Sequence, residues 1–306
     1  MFVNKDNREF LKTFDDESVD LFILDPPYFK VINAYWDNMW NTIDDYCSWF
    51  DDLIKLISQK AKKSCSVWLF GFPYQLTRLI HIMEAHGFAF RQQIIINKGL
   101  QSVAGRVSSK LKMFPTATES IFFFYKDSRN FIKDLLNEKK TLSKLSSKQI
   151  NEHIGKASNG GGTWSSIAGL KKNDIQYPTR ETWEKLEELF GDIGEYDDLV
   201  YKFNIAYGLT DVWSDINFYD RSIKKVHPTQ KPLDLIERLI KTSSNENDLI
   251  CDPFGGSGTT YYVCTKLNRR CFSCEISKEY FDKAIEVMKN DYKKVKSQKN
   301  FNICNE

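Results

Sequence analysis

The sequence predicts an α/β protein: a mostly parallel sheet with helices on both faces, interrupted once by a long insertion. Short apolar runs of strand length alternate with stretches whose apolar residues recur at helical spacing, the order produced by parallel strands joined through helical crossovers. That rhythm stops after Lys126 and resumes around Asp211, which marks the insertion. With 306 residues the chain accommodates one large domain of this kind, with a core that needs no covalent staples.

Val19 to Leu24 is an apolar run closed by Asp25-Pro26-Pro27, which cannot continue a strand. Ile43 to Lys63 carries Trp49, Phe50, Leu53, Ile54, Leu56 and Ile57 at helical spacing. Ser66 to Phe70 reads as a buried strand, Gln75 to His86 as a helix stopped by Gly87, and Phe90–Asn97 and Thr118–Tyr125 as two further strands. Beyond the insertion come a helix over Leu233–Ile240, a strand over Asp248–Cys251, a helix after Ser257, a strand over Arg270–Ile276 and a final amphipathic helix over Ser277–Lys296. The chain thus divides into residues 1–127, an inserted region 128–205, and a return to the α/β pattern over 206–306.

Composition narrows the function classes. Lys and Arg number 43 against 41 Asp and Glu, a net charge of +2, which excludes a histone-like polycation while leaving room for a local basic face. Apolar residues at 42% and charged ones at 27% lie in the ordinary globular range and argue against wholesale disorder. No apolar run approaches the roughly 18 residues of a membrane span, and the N-terminus lacks a signal-peptide pattern. The 7 cysteines are scattered without disulfide-framework spacing, which points to a reducing compartment, with the cytoplasm as the default. Cys271 and Cys274 form a single CxxC inside a strand-like run, with no second pair to complete a zinc site, so no metal is expected.

Two motifs carry chemistry. Asp252-Pro253-Phe254-Gly255-Gly256-Ser257-Gly258 lies between a strand and a helix, where a Gly-rich turn lets a ligand approach the backbone and meet a helix N-terminus. It lacks the Lys of a phosphate-cradling P-loop and does not complete GxGxxG, because Tyr261 stands where the third Gly belongs. Glu275, about 20 positions on, sits where such folds hold ribose hydroxyls, so the loop suits an adenosine ligand without a pyrophosphate. A tight connection with a capping Asp is the plainer reading. The second motif, Asp25-Pro26-Pro27-Tyr28, holds a carboxylate and a carbonyl rigidly as acceptors beside a flat aromatic face. That set suits a planar heterocycle bearing an amino group, although an Asx-type turn beside a core Tyr gives the same letters.

Together the motifs resemble the amino-methyltransferases of DNA, which use S-adenosylmethionine. The order, with DPPY about 230 residues before the Gly-rich loop, is similar to their beta class, a Rossmann-like methyltransferase domain with circularly permuted motif order. Asp6, ahead of Phe10 to Phe14, Asp211-Val212-Trp213, and His227-Pro228-Thr229-Gln230-Lys231-Pro232 match further family positions. The resemblance implies that Asp252, Pro253, Phe254, Gly255, Gly256 and Gly258 form the cofactor loop. It implies that Glu275 holds the ribose, with Asp6 near the cofactor and His227, Thr229, Lys231 and Pro232 against its methionine end. Asp25, Pro26, Pro27 and Tyr28 are the implied catalytic quartet, Asp25 also touching the cofactor. By that resemblance the exocyclic amine of a flipped base is expected to donate to Asp25 and the Pro26 carbonyl and Tyr28 to stack on the base, preorganised acceptors stabilising the developing charge. Asp at the first motif position is similar to the adenine-N6 enzymes, with cytosine-N4 as the alternative.

In that family the region corresponding to 128–205 reads the DNA sequence. Short helices over Ser147–Ile154, Trp164–Leu170 and Arg180–Phe190, the last N-capped by Thr179, loosely form helix-turn-helix geometry or pack on one another. From Ser128 to Ile175 there are 9 basic and 4 acidic residues, and from Arg180 to Asp198 there are 2 and 8. The span Arg91 to Lys112 holds five basic residues, Arg91, Lys98, Arg106, Lys110 and Lys112, and no acidic one, which offers phosphate contacts or a merely solvated loop. The expected partner is double-stranded DNA and not a membrane; a homodimer and a cognate restriction endonuclease are compatible with the resemblance. The other open readings are an RNA or protein-amide substrate and a catalytically degenerate DNA-binding module.

Overall fold

The computed structural model describes residues 1–30, 35–104, 112–155, 162–170, 175–205, 208–219 and 225–295. Along the chain run β1 (Phe2–Asn4), α1 (Asn7–Leu11), β2 (Val19–Leu24), α2 (Ile43–Lys60), β3 (Ala61–Gly71), α3 (Pro73–Ala85), β4 (Phe88–Asn97) and β5 (Thr118–Lys126). The inserted region holds α4 (Arg129–Ser143), α5 (Ser147–His153), α6 (Gly162–Ile167), α7 (Arg180–Phe190) and α8 (Tyr196–Leu199). Then follow β6 (Val212–Trp213), α9 (Leu233–Ser243), β7 (Leu249–Asp252), α10 (Thr259–Lys266), β8 (Arg270–Glu275) and α11 (Lys278–Val295).

One eight-stranded sheet has the order β1-β8-β7-β2-β3-β5-β4-β6. Only β5 runs antiparallel to its neighbours, so the other strands all end at the same pole of the sheet. From β2 the chain crosses through α2 to β3 on one side, and from β7 it crosses through α10 to β8 on the other. The β2–β7 pair is therefore the topological switch point, the place where open α/β sheets hold ligands at the carboxyl ends of their strands.

All six residues of β2 are buried, and their alternation sorts the core into two layers. Phe22 and Leu24 join Phe50, Leu53, Leu76 and Met83 under α2 and α3. Leu21 and Ile23 join Leu235, Leu239, Val263 and Ile285 under α9, α10 and α11. Each such side chain, fully buried, contributes about 1.5–3 kcal/mol of transfer free energy. The expected strands and helices of this frame are present with shifted boundaries, the largest at β3, which begins at Ala61 rather than Ser66. α2 stops at Lys60 rather than Lys63, because Ser18 N–H donates to the Lys60 carbonyl and Val19 pairs with Ala61, drawing the chain into the sheet early.

The insertion has its own core of Ile132, Leu136, Ile150, Trp164, Trp183 and Leu186. α7 begins where expected, Thr179 accepting from Thr182 N–H. α4 was not expected: only Ile132 and Leu136 along its 15 residues are buried, too narrow a stripe to stand out among its charges. Among the described residues no helix is long and apolar enough to cross a membrane.

Candidate active site

The Asp25-Pro26 step follows β2 directly, and the Gly-rich turn follows β7, so the switch point brings both motifs to one cavity of about 660 Å³. Its walls include Asp6, Pro26, Tyr28, His227, Lys231, Phe254, Gly256 and Glu275.

On the β7–β8 side, backbone geometry explains the glycines. Gly256 has φ of +50° and its missing Cβ leaves the backbone open beside His227. Gly255 is constrained by space instead, since a Cβ there would lie 2.5 Å from Ser273 Oγ and 2.6 Å from Phe2. Glu275, ending β8, accepts from Gly256 N–H at 2.9 Å and Ser277 N–H at 2.7 Å. Burial nevertheless pushes its carboxyl above the usual range. Burial also pushes Asp252 up to about 7, against hydrogen bonds from Thr260 and the Phe254 N–H. Asp6 lines the cavity while capping α1 through Arg8 N–H and Glu9 N–H. Trp49 of α2 packs near Phe254, its ring centroid 6.2 Å away.

The other side is an ion cluster. Lys231 Nζ lies 3.0 Å from Asp25 Oδ2 and 3.1 Å from Glu119 Oε1, and donates to Tyr28 Oη at 3.2 Å. The Tyr28 hydroxyl stands 3.0 Å from both Asp25 Oδ1 and Glu119 Oε1, and Lys98 closes the set at 3.1 Å from Glu119 Oε2. Tyr28 N–H donates to Asp37 and Gln75 Nε2 to the Pro27 carbonyl, which pins the turn. Burial raises the Asp25 pKa, with Lys231 opposing it and Glu119 adding to it. Burial opposes the charge on Glu119 too, yet Lys231 and Lys98 hold it down at about 2. Burial, Lys231 and Lys225 lower His227 to about 4, so its ring is neutral near pH 7, with Nδ1 beside Thr229 Oγ1 at 3.0 Å.

The family model described as DNA methylase, of the N6/N4 type, matches residues 19–286. The chain belongs to this DNA methylase family. The type II methyltransferase M1.MboII of Moraxella bovis is 26% identical over 280 residues, spanning 92% of this chain and 93% of that protein. The DNA adenine methyltransferase YhdJ of Escherichia coli (strain K12) is 25% identical over 306 residues, spanning 96% and 86%. Among solved structures, the M1.HpyAVI–SAM complex superposes with a TM-score of 0.57 at 18% identity, covering 94% of this chain and 98% of that one. The cytosine-N4-specific PvuII DNA methyltransferase does so with 0.58 at 16%, covering 93% and 84%. These likenesses are of fold.

Within this DNA methylase, the residues expected at a cofactor and a base line one cavity, except Pro232 and Gly258; a Cβ on Gly258 would meet Met288 and Phe2 instead, because the turn faces the core there. The expected phosphate contacts do not gather. Arg91 is exposed near the start of β4, at the pole opposite the cavity. Lys98 is 20% exposed and bound to Glu119, so its charge is engaged inside the site. Lys112 is exposed, and Arg106 and Lys110 lie outside the described residues. The region 128–205, expected to read the DNA sequence, joins the sheet away from the cavity. β5 carries Glu119 in the site and Tyr125 against Tyr201, six residues or about 20 Å apart at the usual rise per residue, so the insertion starts at the far pole. Glu119 falls inside the expected strand Thr118–Tyr125 and belongs to neither motif; a lone acidic side chain near the head of an otherwise apolar run is the signal available for it.

Proposed function

We propose that this DNA methylase transfers the methyl group of S-adenosylmethionine to the exocyclic N6 amine of an adenine extruded from duplex DNA. The observation that carries the reading is the meeting of the Asp25–Tyr28 turn and the Gly255–Gly258 turn across one cavity at the β2–β7 switch point. The cofactor is supported by the fit of the β7–β8 side: an acidic Glu275, an open Gly256 backbone and a neutral His227 suit an adenosine with a charged tail. The naming of M1.HpyAVI as a SAM complex supports it independently. Bound there, the cofactor supplies a methyl group activated by a sulfonium.

The chain's own task is to make a poor nucleophile attack. An aromatic amine has its lone pair delocalised into the ring; acceptors at Asp25 and the Pro26 carbonyl favour a tetrahedral nitrogen and stabilise its growing positive charge. Asp25 is engaged by Lys231. An incoming amine therefore exchanges with that ammonium, and Glu119, 3.1 Å away, keeps Lys231 paired while Asp25 changes partner. With the cofactor supplying the methyl group, Asp25 would take the surplus proton of the methylated amine, a role that its raised proton affinity suits. The Tyr28 ring, fixed by its hydroxyl and set edge-on against Phe72, offers a plate for the base.

Adenine is favoured by the Asp at the head of the DPPY motif and by the full-length likeness to YhdJ, whose name specifies adenine. Cytosine N4 is the second reading, since the same acceptors suit both amines and the PvuII enzyme shares the fold. Incubation with unmethylated duplex DNA and S-adenosylmethionine, followed by nucleoside mass spectrometry, tests this. N6-methyladenine is the expected product. N4-methylcytosine reassigns the base, and absence of both with cofactor bound overturns the substrate.

A further inference from the structure

Resting on the DNA-methylation reading, we infer that Asp37 and Gln75 are positioning residues of the transfer step. Together they hold the Pro27–Tyr28 peptide unit and thereby aim the Pro26 carbonyl, the second acceptor of the target amine. Gln75 Nε2 donates to the Pro27 carbonyl at 3.3 Å, and Tyr28 N–H donates to Asp37 Oδ1 at 2.8 Å. That C=O and that N–H belong to one planar peptide and point in opposite directions. The unit is therefore gripped from both sides, by two side chains that are each only 3% exposed.

The lever on the reacting centre is short. Proline rings fix φ at Pro26 and Pro27, so ψ of Pro27 is the one soft torsion between the gripped peptide and the Pro26 carbonyl. Gln75 takes the Pro27 carbonyl, whereas among the described residues nothing engages the Pro26 carbonyl at the cavity wall. The fold explains how Gln75 arrives there. β3 runs parallel to β2 with Leu24 and Leu69 in register, so both strands finish at the same level. β3 then passes into α3 through Phe72, with Pro73 opening the helix. The same turn sets Phe72 edge-on to the Tyr28 ring at 5.4 Å and Gln75 against the Pro27 carbonyl. Asp37 comes from a 3₁₀ turn over Tyr35–Asn38 and lines the cavity with Asp25 and Pro26.

Two features separate positioning from packing. Gln75 must turn its NH2 end to the carbonyl, and its Oε1 is left buried with no hydrogen-bond partner among the described residues. A methionine fills nearly the same space without an unpaired oxygen, so stability alone does not select glutamine here. Lys30, just beyond the catalytic quartet, has φ of +53°, a left-handed conformation that costs any residue but glycine. It is held there by its N–H on the Asp37 carbonyl at 2.8 Å and by its Nζ on the Asn41 carbonyl at 2.6 Å. Asp37 thus grips Tyr28 through its side chain and Lys30 through its backbone, and the surrounding structure maintains a strained residue to keep that grip.

The test is single-turnover methylation of unmethylated genomic DNA, with urea unfolding and calorimetric cofactor binding on the same preparations. Gln75→Met and Asp37→Ala are each expected to slow transfer about 10–10²-fold, the scale set by a reacting group misplaced by up to about 1 Å. Cofactor affinity stays at the wild-type value in both, and the urea midpoint of Gln75→Met matches or exceeds that of the wild type. Asp37→Asn still presents an acceptor to Tyr28 N–H and is expected to recover most of the rate lost in Asp37→Ala. Because both side chains hold one peptide unit, the double variant is expected to be little slower than the slower single one. Wild-type rates in the single variants, losses that multiply in the double variant, a rate loss matched by lost cofactor affinity, or no recovery in Asp37→Asn overturns the assignment. If Asp37→Ala does not fold, Gln75→Met decides alone: a slow, stable enzyme supports the assignment and a wild-type rate overturns it. A wild type that binds cofactor and methylates no DNA sinks the underlying reading instead, a distinguishable failure.

Discussion

Two buried ion clusters, one at each pole of the sheet, contain the same ingredients and do different things. At the carboxyl pole stand Asp25, Glu119, Lys231 and Lys98; at the amino pole stand Asp20, Asp248, Lys62 and Lys202. Asp20 is 3% exposed, lies 3.0 Å from Lys62, and accepts the Leu249 N–H at 2.9 Å, while Lys202 bridges it to Asp248 at 2.8 Å. Its charges join β2, β3, β7 and the start of the return from the insertion. The carboxyl-pole cluster opens on a cavity, and its Asp25 ion pair faces an incoming ligand. Two carboxylates and two ammoniums thus form either a fastener or a reactive centre. What decides is access, and whether one partner can be exchanged.

The widest separation of the two clusters comes from deleting one carboxylate at each pole. Asp25→Asn is expected to cut methylation at saturating cofactor by about 10²–10³-fold, the scale of one lost transition-state contact, with the urea midpoint unchanged or higher. Asp20→Ala leaves Lys62 and Lys202 without their shared counter-ion and is expected to destabilise the fold by about 3–5 kcal/mol, with turnover per folded molecule unchanged. Urea unfolding and single-turnover assays on both variants check this. If Asp25→Asn unfolds as readily as Asp20→Ala, the division of labour between the poles is wrong.

A second pair of variants sharpens the exchange idea. Asp25 faces Lys231, Tyr28 and Glu119, with Lys98 behind Glu119, Asp252 across the cavity and His227 beside Lys231. Glu119→Gln removes a charge that raises the Asp25 pKa, so the acid limb of the rate–pH profile should move down, with the plateau falling about tenfold. Lys98→Met removes a cation behind the pair and should move the same limb up. Limbs that move together, or not at all, would leave Glu119 a purely structural residue.

A last contrast concerns Asp252, whose carboxyl burial raises to about 7. A raised folded-state value means the neutral acid stabilises the protein at acidic pH, and that contribution is lost as pH climbs through about 7. Asp252→Asn cannot ionise, so between about pH 4 and pH 8 the wild type should lose roughly 1–4 kcal/mol of unfolding free energy relative to it, the contribution of His227, lowered to about 4, being common to both. Equal slopes in the two proteins would contradict the burial argument.

Much of this was legible in the sequence because it is local. The Asp25-Pro26-Pro27 stop, the Gly255–Gly258 turn and the apolar strands between them depend on near neighbours, and their order along the chain carried the family resemblance. What escaped depends on pairing across the sheet. Lys98 read as a surface cation because only the β3–β5–β4 register brings it to Glu119. β1, three residues long, is held by Phe2–Ser273 and Asn4–Glu275 pairing rather than by any run of its own. The insertion's short helices were visible, but where they dock followed from the direction of β5, which no periodicity encodes.

That reversed strand has a practical consequence. A chain entering β5 at Thr118 beside the catalytic cluster leaves at Lys126 on the back of the molecule. Whatever follows Lys126 is built as an annex there, with its own small core and with Tyr125–Tyr201 stacking at its junction. Such an annex is expected to tolerate changes of length between its own helices, provided that Lys202, which ties its return to Asp20 and Asp248, is kept. The architecture has in effect a service entrance, and a protein engineer wanting a tether for a second activity should use it.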